Sequence, residues 1–171
     1  MIGLPAKLRA AALTGALLLA VQPAYAQDGQ SDANANPDAQ NSAWHAQQQI
    51  YLLGLTAEDG WHFVDGGVRW RWIKYLASDR KPTVDDRITV HYEGRLLDGT
   101  VFDSSYTRGQ PATFPLGRLV EGWQLAIPNM GVGETIEIAI PSDFAYGPVG
   151  RGPIPPNATL VFKVELIAIA D

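Results

Sequence analysis

From Trp61 onward, apolar and polar residues alternate with a period of two. Val68, Trp70 and Trp72 are separated by Arg69 and Arg71, and Ile88, Val90 and Tyr92 by Thr89 and His91. Ile136, Ile138 and Ile140 are separated by Glu137 and Ala139, and Leu160, Phe162, Val164 and Leu166 by Val161, Lys163 and Glu165. Successive side chains of a strand point to opposite faces, so each stretch predicts a strand with one apolar face. Asp98-Gly99, between Arg95-Leu96-Leu97 and Thr100-Val101-Phe102, predicts a tight hairpin turn. Val120 to Met130, entered through Gly122 and left through Gly131, predicts a helix inside the same body. The coarse result is an α+β domain over residues 61–171, an antiparallel sheet with one helix lying on it.

The N-terminal part has a different pattern. Lys7 and Arg9 precede an apolar run from Ala10 to Val21, and Ala24-Tyr25-Ala26 supplies small residues two apart. That arrangement predicts a signal peptide over residues 1–26, cleaved after Ala26, and an exported, periplasmic product with no membrane span left after cleavage. The apolar run is short of the roughly 20 residues a spanning helix needs. Residues 27–41 (QDGQSDANANPDAQN) show no apolar periodicity and predict a disordered linker. Ser42 then caps a short helical extension over residues 42–60, with Trp44, Gln47 or Gln48, Tyr51 and Leu55 near one face. So short a helix is marginal alone, which favours packing on its own domain over a dimer handle. A monomer or a weak dimer is compatible with that pattern.

Composition narrows the chemistry. The 171 residues contain no cysteine, which excludes disulfides, thiolate nucleophiles and Cys-ligated metal. A net charge of −5 with no basic run argues against a nucleic-acid partner. The histidines His45, His62 and His91 lack the spacing of a metal site, and His91 reads as a solvated surface residue. Glu134 and Glu137 read as ordinary exposed carboxylates. No nucleophile elbow, phosphate-cradling loop or HExxH motif occurs, so neither a cofactor nor a metal is expected. What stands out is aromatics at inward positions: Tyr92, Phe102, Trp123, Tyr146 and Phe162. Each alone suits a core; together they could line an apolar cleft, with Tyr92, Asp103 and Tyr146 giving polar tips.

Residues 83–169 resemble an FKBP-type peptidyl-prolyl cis-trans isomerase almost end to end. The resemblance rests on VHYEGRLLDGTVFDSS (90–105), FPLG (114–117), LVEGW (119–123), MGVGE (130–134), FAYG (144–147) and IPPNATLVFKVEL (154–166), in family order. It implies a twisted antiparallel sheet wrapped on one short helix. It also implies prolyl isomerisation without a cofactor, acting on proline-containing polypeptides and unfolded exported proteins, with macrolides as inhibitors. Carried over by position, the proline pocket falls on Tyr92, Phe102, Asp103, Trp123, Tyr146 and Phe162, with Arg108, Leu119, Val120 and Ile154 binding substrate. Trp123 would be the floor, and Phe102, Val120 and Phe162 the walls. The Val120 N–H and the Tyr146 hydroxyl would hold peptide carbonyls, and Arg108 would partner Asp103. Ala112 stands where the family often has an aromatic, which predicts weaker macrolide binding more than lost activity. Arg151 sits in the loop overhanging the pocket. The alternative expectation is a non-catalytic chaperone or peptide-binding module of the same fold.

Overall fold

The alternating run at residues 87–95 forms the strand on which most of the sheet depends. In a computed structural model, which describes residues 37–170, it is β3 (Arg87–Arg95), with Ile88, Val90, Tyr92 and Gly94 buried and the residues between them more exposed. The preceding strands are β1 (His62–Phe63) and β2 (Arg69–Lys74); the following ones are β4 (Val101–Ser104), β5 (Ala112–Pro115), β6 (Thr135–Ile140) and β7 (Leu160–Ala170). The seven strands form one antiparallel sheet in the order β1-β2-β6-β7-β3-β4. Strand β5 also pairs with β3: β4 takes the end from Glu93 to Arg95, and β5 takes the stretch from Arg87 to Val90. The segment between β4 and β5 therefore bows away from the sheet edge.

The inner face carries Val68, Trp70, Ile88, Val90, Ile136, Ile138, Ile140, Leu160, Val164 and Leu166, which pack into one core with Leu116, Ala126, Ile127 and Met130. Helix α2 lies on that face but is shorter than Val120 to Met130. It spans Glu121–Ala126 and tightens into a 3₁₀ turn at Ile127–Asn129. Pro128 has no N–H to continue the α-helical ladder. The side-chain amide of Asn129 donates back to the carbonyls of Leu125 and Ala126, at 2.9 and 3.1 Å, and closes the helix end.

Strand β6 is buried on both faces, and the burial of Glu137 within it and of Glu134 just before it overturns the reading of both as exposed. Glu137, 8% exposed, accepts from Arg71 Nε at 2.8 Å and from Arg95 Nη2 at 2.6 Å. Glu134, 1% exposed, accepts from the main-chain N–H groups of Gly131, Leu76 and Ser78 and from the Trp72 indole. A buried carboxylate survives only with such partners. His91 is likewise half-buried, bonded to Ser105 Oγ at 2.9 Å and stacked on Tyr106.

Helix α1 spans Pro37–Leu53 and so begins before Ser42, inside the stretch expected to be linker. Its anchors lie far away in sequence: the Trp44 indole donates to the Pro156 carbonyl, and Gln48 Oε1 accepts the buried N–H of Thr159 at 2.8 Å. The helix thus packs on its own domain. The expected signal peptide, and the linker up to residue 36, lie outside the described residues. Among the described residues no helix is long and apolar enough to cross a membrane.

Candidate functional site

Six parts of the chain converge on a cleft of about 410 Å³. Strand β3 contributes Tyr92, β4 contributes Phe102 and Asp103, and β5 contributes Phe114. Leu119 and Val120 come from the turn that leads into α2 and Trp123 from its first turn, Tyr146 and Arg151 from the loop after β6, and Phe162 from β7. Trp123 is buried, and two rings meet it edge to face: Tyr92 at 5.4 Å between centroids and Phe162 at 5.3 Å. Phe102 in turn meets Phe162 edge to face at 5.5 Å. These are favoured aromatic geometries, so the rings hold one another in place.

Gly94 makes room for two of the rings. A Cβ there would lie 2.6 Å from Phe102 Cζ and 2.6 Å from Phe162 Cε1, so no side chain fits without displacing them. The Leu119-Val120 turn is set by Gln124, whose side chain donates to the Leu119 carbonyl at 2.7 Å. The main-chain N–H of Val120 and the hydroxyl of Tyr146 have no hydrogen-bond partner among the described residues, leaving two donors available to a ligand.

The polar part of the cleft is a three-way contact. The Tyr92 hydroxyl donates to Asp103 Oδ2 at 2.5 Å, and Arg108 donates to Asp103 Oδ1 and, at 2.9 Å, to the Tyr92 oxygen. Burial pushes the Asp103 carboxyl up, but the bonds from Tyr92 and Arg108 and the guanidinium charge outweigh it and leave it below the ordinary carboxylate range. Burial, then the bond to Asp103, hold the Tyr92 hydroxyl above the usual phenol range. Near neutrality Asp103 is therefore ionised and Tyr92 protonated. Among the described residues no group of His, Asp and Glu side chains could hold a metal ion.

A sequence profile of the family described as FKBP-type peptidyl-prolyl cis-trans isomerase matches residues 78–167. The chain belongs to this family. It is 55% identical over 124 residues to peptidyl-prolyl cis-trans isomerase Mip of Coxiella burnetii, covering 72% of this chain and 54% of that protein. It is 40% identical over 126 residues to the outer membrane protein MIP of Legionella longbeachae, covering 72% of this chain and 53% of that protein. The chain thus spans about half the length of these curated relatives. Among solved structures, it superposes on a peptidyl-prolyl cis-trans isomerase from Pseudomonas syringae pv. tomato with a TM-score of 0.70 at 33% identity, covering 82% of this chain and all of the other.

Within this FKBP domain, eight of the residues carried over by position line the cleft: Tyr92, Phe102, Asp103, Leu119, Val120, Trp123, Tyr146 and Phe162. Arg108 stands behind the lining and reaches it through Asp103 and Tyr92. Ile154 is buried in the same core cluster as Trp123 and Phe162 but is not among the residues lining the cleft; its main chain is bridged to that of Arg151. Two lining residues were absent from the carried-over set. Arg151 was noted only for its loop. Phe114 was missed, although it stands two residues after Ala112 and a strand puts both on one face. With Ala112 opposite Val90 and Phe114 opposite Ile88, the Phe114 ring edges Tyr92 at 6.1 Å and supplies an aromatic that Ala112 cannot.

Proposed function

We propose that this chain accelerates cis–trans rotation about X–Pro peptide bonds and assists the folding of exported proteins. The observation that carries the reading is the pairing of a Trp123-based aromatic cleft with two unpartnered donors, the Val120 N–H and the Tyr146 hydroxyl. Rotation about an X–Pro bond takes tens to hundreds of seconds because twisting breaks amide resonance, a barrier of roughly 18–20 kcal/mol. The twisted amide has less charge separation than the planar one. A water-poor aromatic cleft therefore suits it better, and donors fixed on flanking carbonyls hold the chain while the bond turns. Each tenfold in rate requires only about 1.4 kcal/mol of that preference. In this reading Trp123 is the floor, Phe102, Phe114, Val120 and Phe162 are walls, and Asp103 with Arg108 braces Tyr92 without transferring a proton.

Export to the periplasm is supported by the leader pattern of residues 1–26 and by the relative named as an outer membrane protein. Macrolide inhibitors would occupy the same cleft, with Phe114 offsetting part of what Ala112 removes. The test is isomerisation of an Ala-Leu-Pro-Phe-type peptide by the purified chain and by a folded Tyr146→Phe, Asp103→Leu double variant. Acceleration by the chain that is largely lost in the variant supports the proposal. No acceleration by the folded chain overturns it.

A further inference from the structure

Arg151 is the lining residue whose charge the isomerase reading leaves unused. The other ionic side chain of the lining, Asp103, is matched by Arg108. Arg151 is exposed and has no carboxylate partner among the described residues; its guanidinium lies over the Tyr146 ring, 5.7 Å from the centroid.

Its position is fixed by the main chain. Arg151 N–H donates to the Ile154 carbonyl, and Ile154 N–H to the Arg151 carbonyl, both at 3.0 Å, closing a four-residue turn anchored on the core by Ile154. Gly150 N–H donates to the Tyr146 carbonyl at 3.2 Å, tying the start of the turn to the residue whose ring Arg151 covers. Gly150 has φ +70°, and a Cβ there would meet the Ile154 carbonyl oxygen at 2.3 Å, so the turn closes in this form only with glycine. A cation held this way loses less freedom on meeting a ligand than one on a loose loop. A guanidinium without a counter-ion, beside a donor free to bind a peptide carbonyl, is placed to meet side chains next to the residue in the cleft.

We propose that Arg151 is a specificity-determining residue that favours polypeptides carrying a carboxylate on a residue adjoining the proline; this rests on the isomerase reading above. The pair is solvent-exposed, so the preference is modest. Exposed ion pairs correspond to about a two- to five-fold effect, weakened by salt as the screening length shortens.

The experiment compares peptides differing only in Glu, Gln or Lys immediately before or after proline, with both isomerisation rate and binding (tryptophan fluorescence) measured for the full chain, Arg151→Gln and Arg151→Glu. Glu and Gln have nearly the same shape, so their ratio reads charge. The expected result is a Glu:Gln ratio of about two to five at one of the two positions, falling toward one in Arg151→Gln and in high salt. In Arg151→Glu, Lys becomes favoured over Gln. A ratio of one at both positions, or a ratio unchanged by Arg151→Gln, overturns the proposal. The two readings fail separately. Binding with the Glu preference but without acceleration would leave Arg151 in its role and remove the isomerase reading; acceleration with a ratio of one would do the reverse. Neither acceleration nor binding of any peptide overturns both.

Discussion

The Tyr92 hydroxyl donates to the Asp103 carboxylate at 2.5 Å and so ties β3 to β4 inside the cleft. Arg108 completes the contact from outside the lining. Both shifts move titration away from neutrality: Asp103 lies below the ordinary carboxylate range and Tyr92 above the phenol range. If Asp103 braces the site and transfers no proton, kcat/KM for a neutral peptide is flat between about pH 7 and 9. A bell-shaped profile within that window contradicts the bracing role.

Asp103→Asn keeps the shape and removes the charge that Arg108 meets. Both side chains are more than a third exposed, at 43% and 45%, so solvent already screens the pair. The expected loss in kcat/KM is about five-fold, with stability changed by less than about 1 kcal/mol. A thousand-fold loss in a folded variant would mean that Asp103 takes part in the chemistry.

Trp123→Ala removes the ring against which Tyr92 and Phe162 pack. The cost in stability is about 3–5 kcal/mol, since an aromatic deletion in a packed site leaves a cavity. Trp123→Phe keeps an apolar floor and separates stability from activity. Denaturant unfolding should show it far less destabilised than Trp123→Ala, while its turnover remains measurable; turnover unchanged in a folded Trp123→Ala would remove the floor assignment.

Gly94→Ala tests the approach of two rings to the main chain. With a Cβ 2.6 Å from both Phe102 and Phe162, at least one ring must move, at about 1–3 kcal/mol. Because both rings line the cleft, KM for a peptide is expected to rise with the loss of stability. Wild-type kinetics in this variant would show that the walls are not needed in their present positions.

Glu134 links β6 to the segment after β2, where Ala77 has a left-handed main chain (φ +53°) between two N–H groups, those of Leu76 and Ser78, that the carboxylate accepts. Burial raises the Glu134 carboxyl, but these bonds, with those from Gly131 and Trp72, bring it below the ordinary range. Its folded value is therefore lower than its unfolded one. The stability it contributes is present above the unfolded value and is lost as pH falls through the folded value. Glu134→Gln is expected to lower stability at pH 7 by about 2 kcal/mol, with the gap narrowing below about pH 4. Urea midpoints of both proteins against pH check this, and a gap independent of pH contradicts it.

How much of this the sequence disclosed depends on the range of the interactions. Ile88, Val90 and Tyr92, or Ile136, Ile138 and Ile140, announce their faces because alternation is local. Glu137 does not: its partners Arg71 and Arg95 are 66 and 42 residues away, and an isolated glutamate looks solvated. The docking of helix α1 is hidden for the same reason, since Trp44 and Gln48 are anchored at Pro156 and Thr159. Cleft residues inside family motifs, such as Trp123 and Tyr146, were legible. Phe114 opens the FPLG motif, but its place in the lining needed the register of β5 on β3.

The most direct test of the central claim is magnetisation exchange between the cis and trans signals of a short proline peptide at equilibrium, with a trace of the purified chain added. The account predicts faster exchange in both directions with the cis:trans ratio unchanged, and the effect largely lost in the folded Tyr146→Phe, Asp103→Leu variant. Peptide signals that shift on binding while the exchange rate stays at its uncatalysed value would contradict it, and would identify a binding module built on the isomerase fold.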